Sequence, residues 1–196
     1  MQQTQQNSAL ICIDFLNEMI SEGGKLSGKG YLAFAEKNQT LQKVKDLQEK
    51  FRGKSLHVFH VKVAFSEDYI EHPVSSPLFG KAKEFKALQS GTWGTEFVEV
   101  IKPNAGEKTI TKRRVSAFYG TDLEATLRAR GIHTIYLSGV STDLAIESAA
   151  RDGHDRDFNV VVVSDCCAAA NEDDHNKSLI TLQKISTVKK ISEIEL

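Results

Sequence analysis

The feature that most constrains this chain is an alternation. Short apolar runs rich in β-branched residues take turns with stretches whose apolar residues recur at helical spacing. The runs fall at 9–13, 55–64, 108–111, 133–138, 159–164 and 185–187, and helical spacing marks 31–51, 122–130, 142–155 and 173–182. Strands separated by helices cannot pair as hairpins, so they lie parallel, with the crossover helices covering both faces. The expected fold is α/β, three-layer: a six-stranded, mainly parallel sheet with helices on both faces, in a single domain over 1–196, ending in a charged tail from 188.

The alternation fails between residues 65 and 96, where Pro73, Pro77, Gly80, Gly91 and Gly94 punctuate the chain around Trp93, its only tryptophan. A long irregular segment in a compact domain usually serves as a lid, a binding loop or an oligomer contact. The 25 basic and 26 acidic residues are interleaved, so no electrostatic footprint for nucleic acid or an anionic membrane is visible. The expected partner is a small molecule. Three cysteines, two of them the adjacent Cys166 and Cys167, form no disulfide framework and suit a reducing compartment. The polar, glutamine-rich start lacks the basic and apolar blocks of a secretion signal, so a cytoplasmic location is expected.

In parallel sheets ligands collect beyond the carboxyl ends of the strands. Three such ends carry chemistry: Asp14 in ICIDFLNEM, Lys112 in TITKRRVSAF, and the turn GVSTDLAIES beginning at Gly139. In the turn, Ser141 or Thr142 is placed to cap a helix whose first N–H groups have no intrahelical partner. A cysteine at position 145 would have its thiolate favoured by that helix end and by a nearby lysine. The residue there is Ala145. A structural ion pair is the plain alternative for Asp14 and Lys112. Cys12, two residues before Asp14, reads as a buried structural cysteine, and Cys166 and Cys167 as small packed residues after a strand. His57 and His60 fall on opposite faces of a strand and His72 stands alone, so no zinc-ligand spacing is present.

The segments IDFLN, KRRVSAFYGTDLEATLRARGI, YLSGVSTD and VVVSDCCAAA occur in the order in which the isochorismatase-like hydrolases, or cysteine hydrolase superfamily, carry theirs, and together they span most of the chain. The chain resembles that family. The resemblance implies a catalytic aspartate at Asp14, a lysine at Lys112 and a nucleophile position at 145, where this chain departs by having alanine. It also implies a cis peptide between Val140 and Ser141, and an oxyanion site at the backbone N–H groups near Leu144 and Ala145. Related nicotinamidases hold a metal through an aspartate and grouped histidines after the second strand. VKVAFSEDY does not reproduce that grouping, so no metal and no cofactor is expected.

Because a methyl group cannot attack a carbonyl, hydrolysis by the usual thioester route is not expected of a chain with alanine at 145. True isochorismatases have glycine there and cleave a vinyl ether, the aspartate being thought to supply the proton. A hydrolase using Asp14 as general acid or base therefore stands beside two alternatives, a degenerate paralogue that binds a ligand without turnover and an alanine introduced to trap a complex. Val140, Ser141 and Leu144 are expected to bind substrate, with Asn17, Trp93 and Phe118 as further candidates for the pocket wall. By resemblance the protein assembles as a homodimer or larger homo-oligomer.

Overall fold

The computed structural model describes residues 7–196. The glutamine-rich start otherwise lies outside the described residues. Six strands, β1 (Ser8–Ile13), β2 (His57–Val63), β3 (Lys108–Lys112), β4 (Thr134–Val140), β5 (Asn159–Ala168) and β6 (Thr187–Lys189), form one sheet in the order β3-β2-β1-β4-β5-β6. Every pairing between these strands is parallel. The helices are α1 (Asn17–Ile20), α2 (Tyr31–Lys37), α3 (Thr40–Gly53), α4 (Leu123–Ala129), α5 (Glu147–His154) and α6 (Glu172–Leu182). No helix among the described residues is long and apolar enough to cross a membrane.

The strand period of two separates two cores. Ala9, Ile11 and Ile13 of β1 face the layer containing Leu123, Leu127, Ala149, Ala150 and Leu182, from α4, α5 and α6. Leu10 and Cys12 face the opposite layer, where Phe34, Val44, Leu47 and Phe51 of α2 and α3 pack. β1 is buried along its whole length because both of its faces are covered. At the β1–β4 contact the strands need a residue without a side chain, since a Cβ on Gly139 would lie 2.6 Å from the Ile13 carbonyl oxygen and 2.9 Å from Ile13 Cβ.

Several boundaries differ from the sequence reading. The helical stretch over 31–51 is two helices, broken where Gln39 adopts a left-handed φ of 53°. β5 runs to Ala168 rather than ending at 164, so Cys166 and Cys167 lie inside the strand and not after it; the register with β4 shifts between Leu137 and Gly139. The tail from 188 is not simply a solvated one. It holds most of β6 and a short 3-10 turn at Ile191–Glu193, and Ile194 is buried in the α2–α3 layer. The irregular segment carries a small core of its own: Phe65, Tyr69, Phe79, Ala82, Ala87 and Leu88 pack with Leu16 and Val63 above the carboxyl ends of β1 and β2.

Candidate active site

The strand order reverses direction between β1 and β4, which opens a crevice beyond their carboxyl ends. Asp14 follows β1 directly. Its φ of 55° places it in the left-handed region, which aspartate tolerates better than most residues, and turns the chain sharply at the strand end. Its backbone N–H donates to the Val61 carbonyl and its own carbonyl accepts from Leu16, both at 2.8 Å, so the turn is held from both sides.

The side chain of Asp14 is thereby aimed across β2. Oδ1 accepts the Val63 backbone N–H at 2.7 Å, and Oδ2 lies 2.8 Å from Lys112 Nζ. Lys112 ends β3, two strands from β1 and thus roughly 9–10 Å away at ordinary strand spacing, a gap that the lysine stem spans. Its ammonium also donates to the carbonyls of Val115 at 2.7 Å and Arg114 at 3.2 Å. Only 3% of Asp14 and 1% of Lys112 is exposed. Withdrawal from water raises the Asp14 carboxyl above the ordinary aspartate value of 3.8, while the Lys112 charge and the hydrogen bonds from Lys112 and Val63 pull it back down.

The turn after β4 completes the constellation. The Val140–Ser141 peptide is cis. Residues Thr142–Ile146 form a wide π-type turn before α5, closed by a hydrogen bond from Ile146 N–H to the Ser141 carbonyl at 3.0 Å. Neither Ser141 nor Thr142 caps the helix with its side chain, contrary to the sequence reading. Thr142 Oγ1 instead donates to the Ala168 carbonyl at 3.1 Å and sits 2.9 Å from Nδ1 of His175, tying the turn to β5 and α6. His175 is itself packed against the Phe34 ring, and its burial holds its pKa below the usual histidine range.

A cavity of about 580 Å³ opens over these groups, and Asp14, Lys112, Val140, Ser141, Leu144 and Ala145 line it together. Asn17, Trp93 and Phe118, expected at the pocket wall, are not among the residues lining this cavity. Asn17 is spent on architecture: its Nδ2 donates to the Trp93 carbonyl at 3.1 Å and its Oδ1 accepts from Ser21. Trp93 is half exposed. Phe118 belongs to the α4–α5 core, where it meets Phe158 and the Arg156 guanidinium.

Residues that the sequence reading passed over build the upper walls. Tyr31 and the segment before it, with Lys25, Leu26 and Lys29, form one side, and Leu78, Phe79, Lys81 and Phe85 of the irregular segment form the other. The signal for the first wall was the glycine- and lysine-rich run GGKLSGKG between two helices. Glu18, almost fully buried, fastens the second wall by accepting the Leu88 N–H at 2.9 Å.

The cysteines lie elsewhere. Cys12 is buried in the α2–α3 layer beside Gln48 and Ser138, and burial pushes its thiol up to about 11. Cys167 is held up to about 12 in the same way. Neither thiol lines the cavity. Among the described residues no group of three or more His, Cys, Asp or Glu side chains is arranged to hold a metal. His60 is buried against Glu107, which Arg52 also grips, while His57 on the same strand is exposed.

Residues 8–191 match the isochorismatase domain model. The isochorismatase family protein YecD of Escherichia coli O157:H7 is 37% identical over 174 residues, covering 85% of this chain and 89% of its own length. A ureidoacrylate amidohydrolase, RutB, of Methylorubrum extorquens is 28% identical, covering 81% of this chain and 68% of its own. The crystal structure of an isochorismatase family protein from Desulfovibrio vulgaris superposes with a TM-score of 0.85 at 27% identity and 95% coverage of both chains. By the match of its domain, its fold and its relatives, this chain belongs to the isochorismatase-like hydrolase family.

Proposed function

We propose that the protein hydrolyses a small molecule without a covalent thioester, with Asp14 as the general acid/base, Lys112 as its partner, and the backbone N–H groups of Leu144 and Ala145 facing the oxygen on which negative charge develops. One observation supports this reading above the others: the buried Asp14–Lys112 pair opens into the same cavity as the turn. An alanine at 145 is smaller than a cysteine and leaves space beside the carboxylate for the water that hydrolysis consumes. Asp14 Oδ1 and Oδ2 are each engaged once, and each keeps a further lone pair to accept a proton.

Chemically, Asp14 takes a proton from water as the water oxygen bonds to the substrate carbonyl carbon. It returns that proton to the leaving nitrogen or oxygen as the scissile bond breaks. A carboxyl raised by burial suits both halves of the cycle. The relative named as an amidohydrolase makes C–N bonds the first substrates to try. The competing reading is a protein that binds such a ligand without turnover, and the missing thiol favours it.

An amide and carbamate panel assayed on the native chain, on Asp14→Asn and on Ala145→Cys separates the two. Turnover by the native chain that Asp14→Asn abolishes, with folding intact, is the expected result. Turnover confined to the Ala145→Cys form would sink the proposal and leave a disabled site.

The homo-oligomer expectation is likewise carried forward as a proposal. It is supported by Ile70, Val74, Leu78 and Phe85, large apolar side chains left exposed along the irregular segment.

A further inference from the structure

The cavity has an uneven charge. Four lysines, Lys25, Lys29, Lys81 and Lys112, line it against a single carboxylate, Asp14. Lys112 is neutralised by Asp14, which leaves three ammonium groups unopposed. No ion pair among the described residues involves Lys25, Lys29 or Lys81. Lys25 donates to the Lys86 carbonyl, so its head is tethered across the two walls without being neutralised. The chain as a whole has a formal net charge of -1, so this local excess is a property of the cavity and not of the surface in general.

Apart from the Tyr31 and Ser141 hydroxyls, the uncharged part of the lining is apolar. Met19, Leu26, Leu78, Phe79 and Phe85 line the same cavity as the lysines and Asp14. Such a wall gains from a hydrocarbon or aromatic body and has little to offer a polyhydroxylated one.

We infer that the substrate is an amphipathic acid, with a carboxylate held by Lys25, Lys29 and Lys81, an apolar body along the phenylalanine wall, and the hydrolysable carbonyl directed to Asp14 and residue 145. This deepens the proposed hydrolase function and rests on it for the last element only. The carboxylate and the apolar body are argued from the upper walls, where no bond is broken.

The test uses ligands that cannot be hydrolysed to carboxylate products. Binding of phenylacetate, 3-phenylpropanoate and 4-phenylbutanoate is compared by ligand-observed NMR with the corresponding neutral alcohols, on the native chain and on a Lys29→Ala/Lys81→Ala double variant. Both substitutions are on exposed side chains.

At least one acid should bind about tenfold more tightly than its alcohol, as expected of several partly screened ion pairs acting together. The double variant should abolish most of that preference while leaving the alcohol unchanged, and added salt should erode it. Absence of an acid preference across the series, whether through equal binding or through no binding, overturns the inference. So does a preference that survives the double variant. Turnover of neutral amides with no acid preference would refute this inference and spare the hydrolase; a lysine-dependent acid preference in a chain that turns nothing over would do the reverse.

Discussion

Asp14→Asn removes one charge from a pair almost wholly withdrawn from water, and the geometry sets what that should cost. At 2.8 Å the gross attraction is about 6 kcal/mol for an effective dielectric near 20, and desolvating each ion opposes it by several kcal/mol. The intact pair therefore adds little net stability. The asparagine variant is different, because it leaves the Lys112 ammonium buried with only the Arg114 and Val115 carbonyls as partners. Removing one member of a buried pair typically costs about 3–5 kcal/mol, and those two carbonyls place this case near about 3 kcal/mol. Asp14→Asn/Lys112→Met removes both charges and should return to within about 1 kcal/mol of the native chain. Urea unfolding at pH 7 followed by far-ultraviolet circular dichroism measures all the members of the cycle, and a coupling of about 2 kcal/mol or more is expected. A single variant that unfolds within about 0.5 kcal/mol of the native chain, or a double variant whose loss is the sum of the singles, would refute a buried and coupled pair.

The raised Asp14 carboxyl also predicts a pH dependence. If the ionised form acts as base, the acidic limb of kcat/KM lies above the ordinary aspartate value of 3.8, and Lys112→Met, which removes the largest influence holding that carboxyl down, moves the limb up by about 1–3 units; a limb that does not move would disconnect lysine from carboxylate. The sign for stability is the reverse of a surface salt bridge: a carboxyl raised on folding contributes most below its unfolded value, and that contribution is lost as pH rises through the folded one. For assembly, sedimentation equilibrium should give a mass of at least twice the 21.7 kDa chain, and an acidic substitution at Phe85 should lower it; a native monomer at micromolar concentration would refute the oligomer.

The sheet was legible because buried parallel strands write themselves as continuous apolar runs, as 9–13 and 160–163 do, and the floor of the crevice was legible because strand ends are where such a sheet exposes chemistry. The walls were not. Their residues come from 25–31 and 77–88, segments without periodicity, whose position depends on a buried Glu18 and on a small core around Phe65 that no local pattern announces. A polar side chain or a lone tryptophan near a strand end looks available for binding, and the sequence could not show that Asn17 is engaged in holding the Trp93 carbonyl. The end of β5 was missed because its register shift against β4 places Cys166 and Cys167 in the sheet after the obvious valine run has stopped.

What holds the turn in shape explains how an alanine can stand at 145 without dismantling the crevice. The turn is fixed by the Ile146–Ser141 hydrogen bond, by Thr142 tied to Ala168 and His175, and by the close β1–β4 approach at Gly139. None of these contacts uses the side chain of residue 145, and the Asp14–Lys112 pair is anchored independently through Val63, Arg114 and Val115. The turn and the Asp14–Lys112 pair are thus built by separate parts of the fold, and a thiol at 145 would be added to them without being needed to assemble them. On the proposed reading, that separation lets a chain with alanine at 145 dispense with thiol chemistry while keeping a site to bind a carbonyl compound and to move a proton beside it.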